Sequence, residues 1–142
     1  MPSVRKAPLY NEIGAHRSTY YYDSSIVYDP SDIATDNHSA QVGMAVALVA
    51  DSQVGLATAG KLFRGAVVVV ESDGSCTVQD GGVVKAPYLV GAPPIIGRGV
   101  TVDGAGNVTS ASGGTTAAET AYGACVLSLD ATNLVAYVLL PF

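Results

Sequence analysis

The chain has no tryptophan, two phenylalanines, two cysteines, two histidines and few charges. Only 13% of its 142 residues are Asp, Glu, Lys or Arg, about half the usual quarter. Such a sparse charge cover leaves much of a free monomer's surface apolar, so part of the body is expected to be hidden by partners. Seven basic against twelve acidic residues give a net charge of −5. No basic patch is present to neutralise phosphates, which argues against nucleic acid as a partner. No run of about twenty apolar residues occurs, so no membrane span is expected. The opening MPSVRKAPLYNEIG lacks the continuous apolar segment of a signal peptide, and cytosolic assembly is expected. Cys76 and Cys125 stand in separate apolar segments with neither CxxC spacing nor a neighbouring histidine. That favours buried free thiols, with a disulfide between them as the secondary reading.

Helical signals are also scarce. The best window, Thr115 to Ala121, is one or two turns bounded by Gly113-Gly114 and Gly123, too short to organise a domain. What the chain does have is small apolar residues in strand-length runs, broken by sixteen glycines. Met44 to Ala50 and Val54 to Ala57 flank a turn at Asp51-Ser52, and Val67 to Val70 read as a strand buried on both faces. Asp73-Gly74 predicts a hairpin returning over Ser75 to Gln79, and Asp80-Gly81-Gly82 predicts the next turn, before Val83 to Lys85. Pro87, Pro93 and Pro94 mark a loop or edge segment. Gly97 to Asp103 and Asn107 to Ala111 form a further hairpin. The last strands are Tyr122 to Leu129 and Leu134 to Leu140. In the final one Leu134, Ala136, Val138 and Leu140 share a face, and Val135, Tyr137 and Leu139 form an equally apolar second face. The expected fold is all-β, a small β-sandwich or β-barrel spanning residues 41–142.

The first forty residues differ from this body. They hold five of the eight tyrosines, at Tyr10, Tyr20, Tyr21, Tyr22 and Tyr28, together with both histidines and no apolar periodicity. Tyrosine offers a large contact area with a polar tip at small entropic cost, which suits a protein interface. Residues 1–40 are therefore read as an extended arm that grips another protein, with Arg5, Lys6 and Arg17 meeting acidic surface. Packing of the tyrosines on their own domain as a first strand is one alternative; a disordered terminus is the weaker one, because disordered segments are poor in aromatics.

Chemistry is hard to find. His16 and His38 have no metal-ligand or catalytic spacing. Asp29, Asp32 and Asp36 lack the turn glycine and closing Glu of a calcium loop, and capping of a turn around Pro30 explains them better. The glycine pairs at Gly97/Gly99 and Gly104/Gly106 do not open a helix and make no phosphate cradle. An enzyme, a metal site or a cofactor is not expected.

The whole layout, an N-terminal arm, then VGMAVALVADSQVGLATAGKLFRGAVVVV, the hairpins at SDGSCTVQ and VTVDGAGNVTSA, and a terminal YGACVLSLDATNLVAYVLLPF, resembles the small head-decoration or cement proteins of tailed bacteriophages. The resemblance implies a virion protein on the exterior of an icosahedral head, assembled in the host cytoplasm. It further implies homotrimers that clamp neighbouring major capsid protein subunits. Val135, Tyr137 and Leu139 are then expected at the contact between copies. A tail, neck or fibre component and a small carbohydrate-binding β module are the competing expectations.

Overall fold

The computed structural model describes residues 15–31, 38–110 and 125–140, which contain nine strands and no helix. They are β1 (His16–Tyr22), β2 (Ala45–Ala50), β3 (Gln53–Gly55), β4 (Gly65–Val70), β5 (Ser75–Pro87), β6 (Val100–Val102), β7 (Val108–Ser110), β8 (Cys125–Asp130) and β9 (Val135–Leu140). The window Thr115 to Ala121 lies outside the described residues.

Five strands close into a barrel in the order β1-β3-β2-β4-β5, with β5 pairing back onto β1. A closed ring with an odd number of strands cannot alternate direction throughout. The unavoidable parallel pair is β1 with β3, joined at Tyr21↔Gln53 and Tyr22↔Val54, while the other four junctions are antiparallel. Closure occupies edges that would otherwise invite pairing with other chains. The small all-β barrel expected from strand lengths and turn signals is thus the observed body.

The tyrosine-rich segment His16–Tyr22, expected in a free arm, is instead a barrel strand. Alternation explains why. Tyr20 and Tyr22 pack against the interior formed by Ile26, Val46, Val54, Val67, Val70, Cys76 and Val78, where Tyr28 joins them, while Tyr21 between them points out and is 63% exposed. An unpaired segment would leave this interior open. As a stave, β1 pairs with β5 from His16 to Tyr21 and with β3 at Tyr21 and Tyr22, and caps the core with aromatic area. Arg5, Lys6 and Tyr10 lie outside the described residues.

β5 also departs from expectation. The predicted turn at Asp80-Gly81-Gly82 is a bend within one strand, because both glycines are held in ladders with different partners, Gly81↔His16 in the barrel and Gly82↔Leu140 beyond it. Gly82 takes φ 80, which a side chain would resist. The bend carries β5 out of the barrel into a second layer, β5-β9-β8. There Val84, Ala86, Val126, Ala136, Val138 and Leu140 form a second core with Phe63, Val100, Val102 and Val108 from the β6–β7 side. β2 serves both cores: Val46 faces the barrel interior, and Ala45 and Ala47 face the second core. Val67 and Val70 are buried as expected. A register shift between Val67 and Val69 leaves Val68 and Val69 only half-buried.

Close strand packing makes Gly65 a sensitive position. A Cβ there would lie 2.3 Å from the Gln79 carbonyl oxygen on the paired strand, and backbone cannot swing aside as a side chain can. Gly65→Ala is expected to destabilise the fold by about 2 kcal/mol, as overpacking does, measured as a lowered urea midpoint with an unchanged slope.

Candidate binding surface

At the seam where β1 meets β5, the Asp80 side chain is buried and collects donors from β1 and from the segment just before β4. His16 Nδ1 lies 2.7 Å from Oδ1, the Tyr20 hydroxyl donates to Oδ2 at 2.8 Å, and Arg64 Nη2 approaches Oδ2 at 3.5 Å. Arg64 Nε donates to the Tyr20 oxygen at 2.9 Å, and its guanidinium sits 5.8 Å from the Tyr20 ring centre. Burial opposes ionisation of Asp80. Hydrogen bonds from His16, Ser18 and Tyr20, with the Arg64 charge, outweigh it and hold the carboxyl below its ordinary range. Burial first, then the bond to Asp80, pushes the Tyr20 phenol up. With its lone pairs taken by donors, Asp80 is suited to locking β1 in place and poorly suited to accepting a substrate proton.

Most other shifted carboxylates are turn caps. The Asp29 oxygen accepts from the Ser31 backbone and hydroxyl, Asp73 does the same for Ser75, Asp103 caps Ala105 and Asn107, and Asp130 caps Thr132 and Asn133. These bonds hold the carboxyls of Asp29, Asp73 and Asp130 below their ordinary pKa range; for Asp103 they do so against the opposing effect of burial. Much of the acidic excess therefore shapes loops. Cys76 and Cys125 are free thiols, and burial pushes the Cys76 thiol up to about 11.

The outer surface carries the unusual chemistry. Four of the large exposed apolar residues, Leu89, Val90, Ile95 and Ile96, cluster in the loop after β5, where they are between 51% and 77% exposed. From Ala86 to Gly97 this stretch has no charge. The loop is anchored at both ends, by Tyr88 N donating to the Leu134 carbonyl at 3.0 Å and Gly97 N donating to that of Val126 at 2.8 Å. Ile95 N donates to Ser110 Oγ in between. Its apolar side chains are therefore displayed from a fixed frame.

Beside the loop's root lies an apolar recess of about 280 Å3 lined by Val42, Met44, Lys85, Ala86, Pro87 and Val135. On the adjoining layer Val83, Lys85 and Pro87 are cross-strand partners of Leu139, Tyr137 and Val135. Val135 and Tyr137 are half-buried, and Leu139 is 39% exposed. A separate cleft of about 440 Å3 at the barrel end is lined by Thr19, Tyr20, Tyr21, Ser52, Asp73 and Ser75.

Of the residues singled out from sequence, the structure sets Tyr20, Tyr22 and Tyr28 half-buried against the barrel core and leaves Arg17 and Tyr21 exposed on β1. Val135, Tyr137 and Leu139 are set on the face of β9 opposite Ala136 and Val138. Sequence reasoning missed Asp80 as a hub, because its donors come from residues up to 64 positions away. It also passed over Leu89, Val90, Ile95 and Ile96, although an uncharged proline-broken stretch in a chain of this kind is itself a signal. No protein-family model matches the chain, and no curated protein matches it in sequence.

Proposed function

We propose that this chain is a virion structural protein that binds the outer surface of an icosahedral phage head and holds neighbouring major capsid protein subunits together, with copies associating as trimers. One observation carries the proposal: a closed β body of low charge displays fixed, exposed apolar side chains, at Leu89, Val90, Ile95, Ile96 and Leu139. Such a surface is costly to leave in water and suits permanent assembly. Among the described residues no group of three or more His, Cys, Asp or Glu is placed to hold a metal. The Asp80 cluster is spent on structure. Attachment to the capsid is assigned to residues 1–14 together with Arg17 and Tyr21, which are exposed on β1.

The test mixes expanded heads lacking decoration with the full chain and with residues 15–142. Full occupancy by the full chain and at least a thirty-fold loss for the shortened one is expected, the loss of a buried anchor being about 2 kcal/mol or more. No binding of the full chain to heads would end the proposal.

The cleft beside Tyr21 favours a second reading, a small carbohydrate-binding module. A sugar ring could stack on Tyr21 while the Asp73 and Ser75 side chains meet its hydroxyls. Saturable binding of soluble glycans that is lost in Tyr21→Ala, without binding to heads, would select it.

A further inference from the structure

We propose that the cleft at the barrel end is a binding site for a protonated alkylamine, with the Tyr21 ring as its platform and the Asp73 carboxylate as its counter-charge. The inference is independent of the capsid and parts from the glycan reading of the same cleft on charge. The register of β1 on β5 sets the two groups side by side. Tyr21 is the cross-strand partner of Ser75, and the Ser75 hydroxyl donates to Asp73 Oδ1 at 2.6 Å. Residues directly opposite on neighbouring strands place their side chains on one face of the sheet, so ring, hydroxyl and carboxylate follow one another. Tyr20 and Tyr22 pack against the core on either side, which fixes Tyr21 outward at 63% exposure. Thr19 and Ser52 complete the lining of a cleft of about 440 Å3, within the range of volumes that seat small ligands.

Charge selects the ligand. Both bonds from Ser75, hydroxyl and backbone, fall on Oδ1 and hold the Asp73 carboxyl below its ordinary range, so Oδ2 is left as an anionic acceptor at neutral pH. Among the described residues that line the cleft there is no Lys or Arg. Arg64, which meets Tyr20, is engaged by Asp80. Any molecule that seats here takes water away from the Asp73 carboxylate. A neutral sugar offers that oxygen hydrogen bonds alone, whereas an ammonium offers hydrogen bonds and the opposite charge. The seryl protons are already given away, that of Ser75 to Asp73 and that of Ser52 to Asp51 at 3.3 Å, which leaves lone pairs for an ammonium to donate into. The face of the Tyr21 ring adds the attraction of its quadrupole for a cation, and an alkyl stem packs on the same ring while its charged end stays at the polar rim. A free polyamine and a protein's lysine side chain carry the same chemistry.

The experiment titrates the full-length protein, without heads, with spermidine and with Nα-acetyl-lysine amide, and follows the backbone amide resonances. Nα-acetyl-norleucine amide, which keeps the stem and lacks the ammonium, and neutral maltotriose are the controls. Saturable shifts centred on residues 19–21, 52 and 73–75 are expected with the amines and not with the controls, and they should weaken as salt is raised. Asp73→Ser keeps a turn-capping hydroxyl and removes the charge. It is expected to weaken amine binding about five-fold, and Tyr21→Leu about three-fold, with thermal melting near wild type in both. Binding of the lysine amide assigns the site to a protein's lysine side chain, and binding of spermidine alone assigns it to a free polyamine. No saturable binding of either amine at up to about 10 mM overturns the inference. So does equal binding of the norleucine compound, or an Asp73→Ser variant that binds like wild type. Maltotriose binding more tightly than either amine overturns it as well and returns the cleft to the glycan reading. None of these results depends on attachment to heads, so a failure of the capsid proposal leaves the inference standing.

Discussion

A chain that begins at residue 23 should fail to fold, whereas one that begins at residue 15 should keep the barrel. The two truncations differ only by Ala15 and β1, yet β1 closes the ring between β3 and β5. Removing it would strip the inward rings of Tyr20 and Tyr22 from the barrel interior and leave the β3 and β5 edges open. It would also leave Asp80 buried without His16, Ser18 and Tyr20. A fully buried aromatic is worth roughly 3–5 kcal/mol when truncated in a core, and these two half-buried rings contribute a part of that each. Losing two of them together with a strand's ladder is comparable to the whole stability of a domain, about 5–15 kcal/mol. The expected result is a cooperative thermal transition for residues 15–142 and none for residues 23–142, followed by circular dichroism. A folded, cooperative 23–142 fragment would mean that β1 is a detachable arm after all.

The second large effect is expected at Asp80. Asp80→Ala leaves the Arg64 guanidinium and the Tyr20 hydroxyl without their shared acceptor at a buried seam. Removing the acceptor of part-buried hydrogen-bond donors costs about 2 kcal/mol, which for a domain of this length lowers the melting temperature by about 6 °C. The acid side follows from the direction of the shift. Asp80 has a carboxyl acidity stronger in the folded than in the unfolded chain. Its stabilisation is therefore fully present above the unfolded value near 3.9 and is lost as pH falls through the folded value below it. Wild type is expected to lose stability below about pH 4, and Asp80→Asn should flatten that part of the profile while starting from a lower plateau. Urea midpoints measured between neutral pH and pH 3 decide it. Equal midpoints for wild type and Asp80→Ala at neutral pH would show that the seam does not depend on this carboxylate.

Much of the architecture was written in local sequence. Strand-length apolar runs, the Asp73-Gly74 hairpin and the Asp103 to Asn107 hairpin follow from backbone preferences that act within a few residues, and they appear where those preferences place them. The alternation in the last strand likewise told its inner face from its outer face, since a period of two is intrinsic to the extended chain. The all-β class needed no more than this.

Three decisions were made only by the tertiary structure. Tyr20-Tyr21-Tyr22 has the same local character in a free arm and in a stave; the open space between β3 and β5 determines that it becomes a stave. Asp80-Gly81-Gly82 is a turn by composition, but pairing with β1 up to Gly81 and with β9 from Gly82 keeps it a bend within one strand, and long-range ladders outweigh a local turn preference. Asp80 itself reads as one more turn aspartate, like Asp73 or Asp103. Its role depends on His16, Tyr20 and Arg64 arriving from other strands and segments, and contacts between residues far apart in sequence leave no periodic or spaced signature along the chain.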